Sequence, residues 1–164
     1  MQSVIKKGRF NNNKWYIFGR GQGINYGGIP KLLAPEISLG GNFMFDSNGH
    51  LYSTTTIYGY IKNDRITISY ETLLAIMNSK LCWWFLKNTG TVLANGYYRY
   101  KPAYLNPMPI PDIQKEDDSI IKQIVNKIIE STDEVYNKEL EEELESYIHK
   151  IYGLSREDSS IVMS

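Results

Sequence analysis

Residues 81–86 read Leu-Cys-Trp-Trp-Phe-Leu, and no other stretch limits the fold as sharply. At helical spacing these side chains are apolar on every face, so the helix that carries them must be covered on nearly all sides. Asn78-Ser79 before the run supplies a break and a cap for a helix starting at Lys80. A glycine turn follows at Gly90. Ahead of the break, Leu73, Leu74, Ile76 and Met77 form the stripe of a first helix, capped by Ser69. Glu71 lies in its first turn, where a carboxylate meets the positive end of the helix dipole.

The elements that must cover this pillar are short. Residues 4–10 form a basic strand or arm, residues 11–14 a turn, and Trp15 to Phe18 a buried strand that runs into a glycine-rich loop over residues 19–28. The glycines at 19, 21, 23, 27 and 28 match neither a dinucleotide fingerprint nor a nucleotide P-loop, and no clear helix follows to supply a dipole. The loop carries Arg20, Gln22, Asn25 and Tyr26, which suit either base-edge contacts or a solvated loop. Residues 31–38, beginning with Lys31, read as a strand that Pro35 places at an edge or bulge. Residues 42–45 and 51–56 flank Asp46-Ser47-Asn48-Gly49, a hairpin signal. Thr54 and Thr56 on the second strand fit a polar face toward phosphates or bases, or simple β propensity. Asn63-Asp64 marks another turn before a short strand over residues 65–69.

After the pillar comes a second Asn-Gly pair, Asn95-Gly96, and a strand over residues 97–101. There Tyr98 and Tyr100 share one face, and Tyr97, Arg99 and Lys101 share the other. The first face can join the core. The second presents a ring with two cations, suited to phosphates and stacked bases or, equally, to snorkelling over a packed tyrosine. The prolines of residues 106–111 exclude helix and central strand, leaving an extended linker. Beyond it, Ile120, Ile121, Ile124, Val125, Ile128 and Ile129 repeat at helical spacing, as do Leu140, Leu144, Tyr147, Ile148 and Ile151. Gly153 is a stop, and Ser155 to Asp158 a capped start for a last short helix.

Charge divides at the same linker. Residues 1–111 hold 12 Lys and Arg against 4 Asp and Glu, and residues 112–164 hold 6 against 14. A net of +8 faces a net of −8. The basic half suggests a polyanion partner; alternatively the acidic helices neutralise it. Thirteen tyrosines against five phenylalanines also point to a contacting surface. The one cysteine, Cys82, lies in the apolar run and reads as core, without a disulfide framework. No apolar run reaches the roughly 18 residues of a membrane span, and no signal-peptide core follows Met1. A cytoplasmic protein is expected. Residues 2–10 already read as the interior of a domain, so a piece of something larger is expected too.

Catalytic chemistry finds little support. His50 and His149 are far apart and near no cysteine, so a zinc site is not indicated. A GxSxG elbow is absent. Pro111-Asp112 opens like a nuclease motif, but no downstream lysine has an acidic residue two places before it. The glutamates at 139, 141, 142, 143 and 145 read as a solvated helix face.

The order of pieces resembles one family. WYIFGRGQGINYGGIPKLLAPEIS, then YSTTTIYG, then LLAIMNSKLCWWFLKNTGTVLANGYYRYKPAYLNPMPIP is similar to the C-terminal target-recognition (specificity) domain of TaqI-like adenine DNA methyltransferases, a domain type also found in fused type II restriction-modification enzymes. ELESYIHKIYGLSREDSSIV resembles their tail. The resemblance implies that a separate upstream domain of the same polypeptide binds S-adenosylmethionine and methylates adenine. Its Asn-Pro-Pro-Tyr motif is absent here; the nearest string, Asn106-Pro107-Met108-Pro109, belongs to the linker. The implied function is recognition of double-stranded DNA, with no cofactor and no catalysis in this chain.

The expectation is therefore an α+β fold: a mixed, mainly antiparallel sheet with a buried aromatic helix, followed by a C-terminal helical hairpin. Residues 1–111 are the basic recognition body and residues 112–164 an acidic spacer or docking tail. Arg20, Gln22, Asn25, Tyr26, Lys31, Thr54, Thr56, Asn95, Tyr97, Arg99 and Lys101 are the expected DNA contacts, with Arg99 and Lys101 preferred. Competing readings are a protein-interaction module that docks or self-associates through the C-terminal helices, and a single-stranded nucleic-acid binder.

Overall fold

The apolar run becomes the helix α2 (Lys80–Thr89), separated by a single residue from α1 (Tyr70–Asn78). Ser79 makes this possible by serving both helices. Its hydroxyl donates to the Ile76 carbonyl at 2.7 Å and accepts the Cys82 N–H at 3.1 Å. Leu81, Cys82 and Leu86 are buried, and Trp83, Trp84 and Phe85 are partly buried against the same cluster. Burial pushes the Cys82 thiol up to about 12, so it stays a neutral core side chain. The computed structural model describes residues 24–53 and 56–164; the readings of residues 4–23, and of Thr54 and Thr55, fall outside them.

The sheet departs from the sequence reading in its pairing. β1 (Lys31–Pro35) is the middle strand, flanked antiparallel by β3 (Met44–Asp46) and β4 (Ile57–Tyr60). Pro35 was expected to mark an edge or bulge. It instead ends a central strand, and after Glu36 the chain passes into β2 (Ile37–Ser38), which pairs with β5 (Tyr98–Arg99) in a second sheet. The expected hairpin over Asp46–Gly49 does not form, and residues 51–53 are not a strand. The cause is the Asp46 carboxylate, which accepts the N–H groups of His50 at 3.0 Å and Leu51 at 2.8 Å. Those are donors that a continuing strand would have offered to its partner. The expected strand over residues 65–69 is likewise a turn and extended chain, with the Ile66 N–H donating to the Asn63 carbonyl at 3.0 Å.

The second Asn-Gly pair does turn the chain. Asn95 and Gly96 take φ of 62° and 77°, and the Leu93 N–H reaches the Tyr97 carbonyl at 2.7 Å. The alternation beyond it is also as expected. Tyr100 is buried, and Tyr98 meets the edge of Trp83 at 5.2 Å between ring centres, while Tyr97 on the other face is exposed. A short helix not foreseen in the sequence, α3 (Pro102–Leu105), follows, with Pro102 in its first turn. The linker expected to be extended from residue 106 instead starts as a turn, in which Asn106 is still helical and the Met108 N–H donates to the Leu105 carbonyl at 2.9 Å. The segment is held: Met108 is in the core, and the Tyr152 hydroxyl donates to the Pro109 carbonyl at 3.0 Å.

The tail forms α4 (Lys115–Glu130), α5 (Glu134–Ile151) and α6 (Arg156–Met163), the last opened by a Ser155–Asp158 capping box. α1 touches β1 and β3 on one side and α4 on another. Ile121, Val125, Ile148 and Val162 join the same hydrophobic cluster as Leu32, Phe43 and Leu86, so one core runs through residues on both sides of the linker.

Two acidic side chains of the tail end at helix N-termini of the body. Asp118 accepts the backbone N–H of Ser69 at 2.8 Å and its hydroxyl at 2.9 Å, at the start of α1. Glu145 places both oxygens 3.0 Å from the N–H of Lys80, at the start of α2. These are the positions where unpaired N–H groups and the dipole favour an anion. Glu145 is thus the exception in a glutamate run that is otherwise exposed. Beside it the buried His149 brings Nε2 to 3.2 Å from a Glu145 oxygen, without the alignment of a hydrogen bond.

Candidate nucleic-acid interface

β1 has a different polar cluster at each end. At its start, Lys31 and Asp46 face one another across the β1–β3 ladder, with Nζ 3.0 Å from Oδ2 and only 3% and 5% of the two side chains exposed. The Lys31 ammonium also donates to the carbonyls of Ile29 at 3.3 Å and Tyr26 at 3.4 Å. Burial by itself would raise the Asp46 carboxyl. The N–H of Leu51, the Lys31 ammonium and the N–H of His50 outweigh it and hold the group below the usual carboxylate range. Lys31 was expected as a DNA contact. In the structure its charge is paired inside the protein, with a partner fifteen positions later in the sequence.

Above this pair lie two loops. One carries Asn25 and Tyr26 in a 3-10 turn (Ile24–Tyr26), both exposed. The other runs over residues 46–52, with Asn48, His50 and Tyr52 exposed. The loops touch: the Gly28 N–H donates to the Gly49 carbonyl at 2.8 Å. Gly49 has φ of +69°, and a Cβ there would stand 2.3 Å from the Ile29 nitrogen, so only glycine fits. The Tyr52 ring covers Gly27, where a Cβ would come within 2.7 Å of it.

At the far end of β1, about 13 Å away for a strand of this length, stands a second ion pair. Arg99 on β5 reaches Glu36 at 3.1 Å, with 36% and 23% of the side chains exposed. The Glu36 N–H donates to the Thr56 carbonyl, and the Tyr100 N–H to the Glu36 carbonyl, both at 2.8 Å. The fold therefore brings the exposed Thr56 and the partly exposed Arg99 together around one glutamate. Asn95 and Tyr97 are exposed on the adjoining turn, and Lys101, partly buried, caps α3 through its carbonyl. Arg20, Gln22 and Thr54 lie outside the described residues. The described residues among the expected contacts thus form two groups at opposite ends of β1, with Lys31 buried beneath the first.

The exposed loop that carries Asn48, His50 and Tyr52 was not foreseen because Asp46-Ser47-Asn48-Gly49 looked like a plain hairpin turn. The available signal was an acidic residue heading a polar turn, which can bind its own following N–H groups. Among the described residues, no group of His, Cys, Asp and Glu is placed to hold a metal ion, and no helix is long and apolar enough to cross a membrane.

Residues 3–110 match the family described as the TaqI-like C-terminal specificity domain. The chain belongs to this family. Both ends of β1, the helices α1 to α3 and the Asn95-Gly96 turn all fall within the part that the specificity domain spans, while α4, α5 and α6 follow it. No curated protein matches the chain.

Proposed function

We propose that this specificity domain reads a sequence in double-stranded DNA for a restriction-modification enzyme. Methyl transfer to adenine then belongs to a separate upstream domain of the same polypeptide that binds S-adenosylmethionine. The family match carries this reading, and the exposed polar side chains at both ends of β1 support it. Arg99 can leave a partly exposed carboxylate for a phosphate, and Asn25, Asn95 and Thr56 offer short polar groups to base edges or backbone. Tyr26 and Tyr97, 54% and 41% exposed, offer rings and hydroxyls.

The division at residue 111 is, in this reading, one of tasks within a shared core. Residues 1–111 meet DNA, and residues 112–164 brace them. A tail carboxylate placed at the N-terminus of α1 or α2 is turned into the protein, which lessens its repulsion of a phosphate backbone. The cytoplasm, where DNA of a restriction-modification host lies, is the proposed location.

Duplex binding measured against salt tests the reading. Affinity should fall linearly on a double-logarithmic plot, and a duplex should outcompete the single strand of the same sequence. Binding indifferent to salt, or preference for the single strand, would sink it. A second reading, self-association through the tail, draws on Ile129 and Val135, 60% and 72% exposed near the turn between α4 and α5. Sedimentation of a Val135→Glu variant separates it, since a monomeric parent removes the reading.

A further inference from the structure

The buried ion pair at the start of β1 is difficult to explain as a device for stability. Taking two charges out of water costs about as much as their attraction returns, and apolar pairs of similar size commonly do as well. What an apolar pair could not reproduce is the set of bonds that converges here. Lys31 holds the carbonyls of Tyr26 and Ile29. Asp46 holds the N–H groups of His50 and Leu51. The two side chains, 3.0 Å apart, thereby fix one loop relative to the other, and the Gly28–Gly49 hydrogen bond and the Tyr52 ring over Gly27 close the join.

We propose that the loops over residues 25–29 and 46–52 form one base-reading surface, with Asn25, Asn48 and His50 as its specificity-determining side chains and the Lys31–Asp46 pair as its positioning device. This rests on the duplex-DNA reading above and adds to it the residues that select sequence. Asn25 and Asn48 each carry an amide, the group that pairs bidentately with the major-groove edge of adenine. His50 adds a ring with one donor and one acceptor nitrogen when neutral, which suits an edge that offers both. Tyr26 and Tyr52, 54% and 58% exposed, stand beside them as stacking or phosphate-contacting rings. Discrimination by such bonds needs donors and acceptors held in place before DNA arrives, because a loose loop would adapt to several bases. The ion pair supplies that constraint while touching no DNA itself.

The test is selection of bound duplexes from a random pool by the protein and three variants: Asn48→Ala, His50→Ala, and the neutral double variant Lys31→Met with Asp46→Asn. The parent should enrich a defined site. Each alanine variant should lose preference at one or two positions of that site, by about tenfold, and keep it at the others. The double variant should unfold cooperatively within about 5 °C of the parent, because no lone charge is left buried. It should nevertheless relax selection at every position that both loops read. A pure stabilising role for the pair would change melting and leave the selected site intact. If all variants enrich the parent's site with the parent's strength, the inference fails and the DNA reading stands. Duplex binding without preference by the parent also overturns the inference, and failure of the parent to bind duplex removes the reading beneath it. Should the double variant not fold, the two surface variants decide alone.

Discussion

The two ion pairs at the ends of β1 have almost the same length, 3.0 Å and 3.1 Å, and opposite physical character. Lys31–Asp46 is sealed from water, so neither partner can leave without stranding a charge. Arg99–Glu36 is a third exposed on its arginine side, so water or a phosphate can replace the glutamate at little cost. Both cations looked alike in the sequence, as basic residues of strands in a basic half. Their difference shows that in this fold a cation's availability to a polyanion is set by the depth of its partner and not by local charge.

The largest effect expected from breaking the comparison is on the sealed pair. Lys31→Met alone leaves Asp46 buried without its countercharge and should lower the melting temperature by about 10 °C. A thermal scan checks it. Adding Asp46→Asn should restore much of the loss, whereas Arg99→Ala with or without Glu36→Gln should show no such rescue, having little to recover.

Next comes the join above that pair. Gly49→Ala demands a positive φ and a Cβ inside contact distance of Ile29, a cost of roughly 2–3 kcal/mol. Denaturant unfolding should show a lowered midpoint with an unchanged slope. The same substitution at Gly96, whose φ is also positive but where a Cβ would meet nothing within 4 Å, should cost about 1 kcal/mol.

The tail sharpens the contrast in a third way, since Asp118 is a partly buried carboxylate with no lysine sealed beside it. Burial by itself would raise its pKa, but the hydrogen bonds around Thr72 and Ser69 and the charge of Lys122 hold it below the usual range. A folded-state pKa below the unfolded one contributes stability above about pH 3.9, lost as pH falls through the folded value. Asp118→Asn should therefore cost about 1 kcal/mol at neutral pH. Its gap from the parent should narrow as melting is followed from pH 6 to pH 3. A constant gap across that range would mean the carboxylate charge is irrelevant there.

The smallest effect on stability is expected at the exposed pair. Arg99→Ala should change unfolding by less than about 1 kcal/mol and still weaken duplex binding. Glu36→Gln, which releases the arginine, should strengthen it.

Much of the helical part was legible from residues alone. Ser79 between two stripes, the capping box at Ser155 and the Asn95-Gly96 turn each carry their partner within a few positions, and the structure forms all three. The sheet was less legible because its pairing depends on distant groups. Asp46 looked like the start of a hairpin, yet its carboxylate takes the N–H groups of His50 and Leu51, which leaves residues 51–53 outside the sheet, and it pairs with Lys31 from fifteen positions earlier, which buries that lysine. The glutamate run hid Glu145 for the same reason: its partner, the first N–H of α2, lies 65 positions earlier. The alternation that buries Tyr100 and leaves Arg99 partly exposed was legible because alternation along a strand is local.

The most direct test is the salt dependence of duplex binding by the parent, Arg99→Ala, and the Lys31→Met, Asp46→Asn double variant. If Arg99 meets phosphate and Lys31 does not, the parent and the double variant should share one slope, and Arg99→Ala should lose about one unit of counterion release. A slope that falls with the double variant and stays with Arg99→Ala would contradict the roles assigned to the two ends of β1.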